Sequence, residues 1–260
     1  MTQSLRIGSV SYLNAKPLIW GLEANPIVDL VLDVPARLAD GLREGRFDVA
    51  LLPVIDYQRL SGLRLLPVGG IGCDGPTLTV RIYSARPIGR MRTLACDVES
   101  HTSVALARIV LAEQFGIHPQ FVDLQGGPSP AADAVLLIGD KVVCEEPPGL
   151  EHQLDLGAAW KQLTGLPFVF AAWFAPEGTD ATAIARLLAD AQRNGLGAVD
   201  QIIQRHAIGR GWPAGVALQY LTVYLKYDVG PRQIEAMRRF FELAHRHGVL
   251  AEPPRPITVA

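Results

Sequence analysis

The residues able to do chemistry gather at a few points of the 260-residue chain. Tyr12-Leu13-Asn14 follows directly on the strand-like LRIGSV (5–10), which puts Asn14 at the carboxyl end of a strand. An amide there offers a ligand both a donor and an acceptor. Ser100-His101-Thr102-Ser103 enters a helix, where free backbone N–H groups and three hydroxyls suit a carboxylate or phosphate. The same residues also read as an ordinary N-cap, and both readings stand at this point. Arg81 and Ser84 end a β-rich segment and Gly139-Asp140 ends another. Open α/β sheets bind ligands at such strand ends.

Other patterns fall away on their context. Gly70, Gly72 and Gly75 satisfy G-x-G-x-x-G after a strand, but Pro76 and the β-rich TLTVRIYS follow in place of a helix. A pyrophosphate would meet no helix N-terminus, so these glycines read as a turn. No G-x-x-x-x-G-K-[ST] occurs. His245 and His247 stand two apart on a helix, so their rings point roughly 200° apart and do not converge on one metal. They suit the dipole at the helix C-terminus instead. His101, His118, His152 and His206 show no H-x-x-x-H or H-x-x-E spacing. No metal site is expected.

The elements that position these residues alternate between strand and helix. LRIGSV (5–10), IVDLVLDV (27–34), RFDVALLPV (46–54) and RLLPVGG (64–70) read as strands; KPLIWGLE (16–23) reads as a short helix, and a second helix opens at Pro35 and closes at Gly45. After the β-rich TLTVRIYS (77–84) a second β-α-β set begins: TLACDV (93–98), a helix over 100–116 stopped by Gly116, FVDL (121–124), the loop QGGPSP, and AVLLIGD (134–140). LPFVFAAWFA (166–175) is long enough to run between lobes. The remainder reads helical, over 180–193, 217–227 and from Pro231 to a stop at Gly248. The expectation is an α/β fold in two lobes, one discontinuous (1–88 with 178–260) and one inserted (89–177), with a ligand cleft between them.

Composition narrows the function classes. Hydrophobic residues make up 49% of the chain and charged ones 19%, a compact globular balance that excludes disorder. With 24 Lys plus Arg against 26 Asp plus Glu, the net charge of −2 leaves no basic excess for a nucleic-acid backbone. No apolar stretch approaches the length of a membrane span. Ser9, Ser11, Asn14 and Lys16 interrupt the first apolar run, so no signal peptide is expected. Cys73, Cys96 and Cys144 are odd in number, with no C-x-x-C pair, and read as reduced and buried. A cytoplasmic location is the expectation.

RIGSVSYLNAKPL at the start resembles the opening of the chorismate dehydratase family of the futalosine route to menaquinone. SHTSVALARIVLAE, DAVLLIGD, LDLGAAWKQLTGLPFVFAAW and YLTVYLKYDVGPRQIEAMRRFF resemble that family's further blocks, in its order, over residues 6 to about 250. The sister naphthoate synthase opens with a different, Ser-Pro-Cys-Pro-type motif. One departure is His101, where the family more often carries Arg.

The resemblance implies a two-lobed fold like the type II periplasmic binding proteins, used as a cytoplasmic lyase. It implies conversion of chorismate to 3-[(1-carboxyvinyl)oxy]benzoate plus water, without cofactor, nucleic-acid or membrane partner. Asn14 is then the catalytic residue, with Ser11, Ser84, Thr102, Ser103, Gly139 and Asp140 as substrate contacts. Asp140 reads equally as a structural turn residue, its negative charge poorly suited to a dianion. The matched blocks supply no His, Glu or Lys base, and a neutral amide accepts no proton. The resemblance points instead to the substrate's own enolpyruvyl carboxylate as the base. The rival expectation is a non-catalytic protein of the same architecture that binds a small carboxylate, since fold alone does not decide function.

Overall fold

The structure, a computed structural model, describes residues 4–96, 100–124, 132–144 and 149–260. Its strands are β1 (Leu5–Ser9), β2 (Val28–Leu32), β3 (Val49–Pro53), β4 (Leu63–Cys73), β5 (Val80–Ser84), β6 (Thr93–Cys96), β7 (Gln120–Asp123), β8 (Ala134–Ile138), β9 (His152–Asp155), β10 (Phe168–Pro176) and β11 (Leu225–Lys226). The helices are α1 (Pro35–Arg43), α2 (Val54–Arg59), α3 (His101–Phe115), α4 (Asp140–Cys144), α5 (Leu156–Thr164), α6 (Ala181–Gly197), α7 (Val199–Ile202), α8 (Ala214–Gln219) and α9 (Pro231–Arg246). The expected loop QGGPSP lies outside the described residues.

Two sheets form. The first runs β11-β4-β10-β3-β1-β2 and the second β7-β6-β8-β5-β9. β1 is parallel to β2 and β3, and β3 is buried, as its unbroken apolar run requires of a central strand. β6 is parallel to both β7 and β8. Strand pairing divides the chain earlier than the expected boundaries at 88 and 178. β5 pairs along its whole length with β8, and with β9, inside the second sheet, while β10 lies antiparallel between β3 and β4 in the first. A strand's own residues do not encode its partner, so the sheet membership of β5 and β10 is decided by pairing across the chain.

Gly70 and Gly72 lie within β4 and form no turn. A Cβ on Gly70 would stand 2.6 Å from the Ala171 carbonyl oxygen and one on Gly72 2.5 Å from that of Phe168, so only glycine lets β4 close on β10 here. The segment expected to be helical over 217–227 ends in β11, and the expected helix at 16–23 is two 3-10 turns, Leu13–Leu18 and Leu22–Ala24, with Pro17 inside the first.

Aromatic packing joins the lobes behind the cleft. Trp160 of α5 meets Phe168 of β10 edge-on at 5.2 Å and Phe240 of α9 at 6.1 Å, and Phe241 stacks on Tyr57 of α2 at 6.3 Å. Such pairs add about 0.5–1.5 kcal/mol each beyond their burial. On the surface, α3 and α9 are tied by His247, whose Nε2 lies 2.7 Å from Glu113 Oε1. Cys73 and Cys96 are buried as expected, but Cys144 is exposed, because α4 presents it at the rim, where its thiol donates to the Arg210 carbonyl at 3.4 Å. No helix among the described residues is long and apolar enough to cross a membrane.

Candidate active site

A cavity of about 370 Å³ opens between the sheets. This lies in the range of small-ligand sites. The first lobe contributes the turn after β1, the end of β3 and the residues around Trp212 and Tyr220; the second contributes the start of β5, the start of α3 and the end of β8. Parallel β6 and β8 both point their carboxyl ends at this gap, and α3 returns from β6 with its amino end facing it.

Asn14 sits on the first 3-10 turn, whose entry is held by the Ala15 N–H donating to the Tyr12 carbonyl at 3.1 Å. The turn lies against α6 at Gly195, where a Cβ would collide with the Pro17 carbonyl. Glycine at that helical position therefore seats the Asn14 turn. Across the cavity, Thr79 Oγ1 donates to the Tyr220 hydroxyl at 3.0 Å. Burial pushes the Tyr220 phenol up to about 12, against hydrogen bonding from Thr79 and from the Asn14 side chain, so it stays protonated. Asn14 thus turns its NH₂ toward Tyr220, and its buried Oδ1 has no partner among the described residues. A buried carbonyl oxygen without a partner, on a residue that lines a cavity, is an unused acceptor.

The segment joining the sheets between β4 and β5 is held under strain. Leu78 has φ of 68°, the one positive value among described non-glycine residues. This costs about 1–2 kcal/mol per residue. The Asp155 carboxylate offsets it by accepting from the N–H groups of Thr77 and Leu78 at 3.0 Å, while also capping α5 through Gly157 and Ala158 at 3.0 Å. Thr77 and Thr79, on either side of Leu78, both face the cavity.

At the start of α3, Ser100 makes no side-chain cap bond, and Thr102 and Ser103 are buried and line the cavity. His101 Nδ1 lies 2.9 Å from both oxygens of Asp56, a carboxylate on α2 that is only 3% exposed and also accepts from Arg59 Nη1 at 3.2 Å. Asp140 opens α4. Its Oδ1 accepts from Trp212 Nε1 at 2.7 Å and its Oδ2 lies 3.6 Å from Arg210, while Trp212 stacks on Tyr220 at 5.0 Å. The Asp140 charge is therefore largely answered by the first lobe, and the residue bridges the two halves of the site.

Of the residues singled out from sequence, Asn14, Thr102, Ser103, Gly139 and Asp140 come together around this cavity. Ser84 does not. β5 runs antiparallel to β8, so its amino end (Val80 opposite Ile138) meets the cleft and its carboxyl end (Ser84 opposite Ala134) lies at the far edge of the sheet. There the Ser84 hydroxyl accepts from Arg86 N and donates to the Asp133 carbonyl. Arg81 likewise turns to Gln153 and Asp155. Ser11 is exposed outside the cavity, and its carbonyl accepts from Arg210 at 3.2 Å. Sequence reasoning passed over Asp56, Thr79, Trp212 and Tyr220. Asp56 carried a signal, as a lone carboxylate inside the apolar PVIDY, since a buried charge needs a partner. Tyr220 and Thr79 carried none, being 141 residues apart. Among the described residues no group of three or more His, Cys, Asp or Glu could hold a metal ion.

A family model described as menaquinone biosynthesis matches residues 5–246. A chorismate dehydratase of Thermus thermophilus is 30% identical over 221 residues, covering 77% of this chain and 81% of the relative. Among solved structures, a protein from Archaeoglobus fulgidus superposes with a TM-score of 0.73 at 15% identity, over 95% of this chain and 98% of that one. The alkanesulfonate-binding protein SsuA from Xanthomonas axonopodis pv. citri gives 0.67 at 16%, over 100% and 96%. A Candida albicans protein with the generic periplasmic binding protein fold gives 0.62 at 13%, over 99% and 97%. At these identities the solved structures establish the fold, which is the two-lobed periplasmic-binding-protein architecture. The match to the family model spans both sheets and the turn that carries Asn14, and the chain belongs to the menaquinone biosynthesis family.

Proposed function

We propose that this protein is a chorismate dehydratase, converting chorismate to 3-[(1-carboxyvinyl)oxy]benzoate and water. The observation that carries the reading is that Asn14, whose buried Oδ1 has no partner among the described residues, and the amino end of α3 line one cavity. Such a site offers an acceptor for a substrate hydroxyl and donors for a carboxylate, which is the pattern of a hydroxylated carboxylate. The identity to the Thermus enzyme supports the same substrate.

Chorismate's C3–H is vinylogous to its ring carboxylate. Breaking that bond delocalises its electron pair through the ring diene. The C4–O bond then breaks, the hydroxide carries its pair away, and the ring becomes aromatic with no net oxidation. In the reading favoured here, the proton passes to the substrate's own enolpyruvyl carboxylate and from there to the departing hydroxide, which leaves as water. Asn14 Oδ1 accepts the hydrogen bond of the C4 hydroxyl and keeps that group aligned for departure, so its contribution is orientation. Thr102 and Ser103 hold a carboxylate at the amino end of α3, where the helix dipole favours negative charge.

The test is to mix purified protein with chorismate and follow the product by mass. Loss of one water with an aromatic product is expected. Asn14→Ala is expected to lower kcat about a hundredfold with a smaller change in KM. An Asn14→Ala enzyme with full kcat would overturn the role of that residue. Tight chorismate binding without turnover would favour the non-catalytic carboxylate-binding protein instead.

A further inference from the structure

We propose that His101, held at Nδ1 by the buried Asp56 carboxylate, is the cationic anchor of a substrate carboxylate. The inference rests on reading the cavity as a dicarboxylate site and adds to it a residue that carries the counter-charge.

The ring lines the cavity, and Asp56 occupies its Nδ1 with both oxygens at 2.9 Å. Nδ1 must therefore carry hydrogen, and Nε2 is the nitrogen left for a ligand. If the imidazole is neutral, Nε2 is an acceptor; if it is protonated, Nε2 donates. The surroundings decide between these. Val104 N closes on the Ser100 carbonyl at 3.0 Å, so the N–H groups of His101, Thr102 and Ser103 have no partner among the described residues. Ser103 is 4% exposed and lines the cavity, and its hydroxyl makes no hydrogen bond among the described residues. The start of α3 thus offers the cavity backbone donors and the Ser103 hydroxyl, while the Thr102 hydroxyl accepts from Ile55 N at 3.5 Å. An anion arriving there completes the set only if Nε2 donates as well.

The neighbouring charges agree. From α2, Asp56 faces the ring with Arg59 behind it at 3.2 Å from the carboxylate. From α4, Asp140 and Lys141 line the same cavity, and Asp140 is engaged by Trp212 and Arg210. Asp56, buried beside the ring, compensates an imidazolium that would otherwise sit against the positive end of the α3 dipole. This is the office a carboxylate performs for histidine in a charge-stabilised dyad. Asp56 is accordingly a positioning residue that acts through His101.

The experiment combines kinetics with calorimetry. The aromatic dicarboxylate 3-[(1-carboxyvinyl)oxy]benzoate does not react further in the site and serves as the titrant. His101→Arg, which is always charged, is expected to keep the wild-type affinity within about threefold. His101→Gln is expected to weaken binding and raise KM for chorismate by about ten- to a hundredfold, with kcat much less affected. Asp56→Asn, checked for folding by its melting curve, is expected to weaken binding in the same direction. The proposal is overturned if His101→Arg binds the titrant as weakly as His101→Gln, if His101→Gln keeps the wild-type KM, or if that variant loses kcat with KM unchanged, which would make His101 the proton acceptor. Failure of the dehydratase reading is separate: wild-type protein would then bind the titrant but leave chorismate unchanged.

Discussion

Tyr220→Phe removes one oxygen from the centre of the site and leaves everything else in place. The ring stays 2% exposed and stacked on Trp212, so apolar burial is unchanged. What is lost is the acceptor for Thr79 Oγ1 at 3.0 Å and for the Asn14 side chain. Stranding buried donors costs about 1–3 kcal/mol. At about 2–4 °C per kcal/mol for a chain of this size, a loss of about 2 kcal/mol lowers Tm by about 4–8 °C. The consequence for turnover is separate. Without Tyr220 the Asn14 amide has nothing to fix which end faces the cavity, so the fraction of molecules presenting Oδ1 falls and kcat drops about tenfold, about 1.4 kcal/mol at the transition state. Scanning calorimetry and steady-state dehydration of chorismate measure the two effects independently. Thr79→Val in a double-mutant cycle with Tyr220→Phe then isolates the shared bond, with an expected coupling of about 1 kcal/mol. If Tyr220→Phe melts and turns over like wild type, Tyr220 does not hold Asn14 and the account of the orphaned oxygen fails.

Three further outcomes follow from the packing. Gly195→Ala forces α6 off the Pro17 carbonyl and shifts the Asn14 turn, so it is expected to cost about 1–3 kcal/mol in urea unfolding and to lower kcat; unchanged unfolding would refute the close approach. Asp155→Ala strands the N–H groups of Thr77, Leu78, Gly157 and Ala158, with an expected loss of about 3 kcal/mol or more, and a Tm within 2 °C of wild type would sink the claim that Asp155 clamps the strained crossing. The hydrogen bond from His247 holds the Glu113 carboxyl below its ordinary value, against the opposing effect of burial. Its stabilisation is therefore complete above the usual glutamate range and lost as pH falls through it to the lower folded value. Glu113→Gln should lower stability at pH 7 and converge on wild type in acid, and a difference that persists at pH 3 would contradict that assignment.

Much of the secondary structure could be read locally, because it is dictated by local stereochemistry. Pro35 and Pro231 start α1 and α9, and Gly116 closes α3 in the left-handed conformation with φ of 63°. The apolar run at 46–54 becomes the buried central strand β3. The turn bearing Asn14, the α3 entrance and Gly139-Asp140 were legible as well, since each is a short motif at a strand or helix end. That Ser84 lies away from the cavity was not legible, because the direction and partners of β5 depend on strands about 50 to 75 residues further along the chain.

By itself, then, the sequence determined the class of the fold, the family and several of the strand and helix ends that line the cavity, because these depend on residue type and short-range spacing. Only the tertiary structure decided which ends meet. It set Asp56 against His101 across 45 residues and Thr79 against Tyr220 across 141, and through Tyr220 it oriented the Asn14 amide. Long-range pairings of this kind come from how two sheets and their helices pack in three dimensions, which no local pattern of residues records.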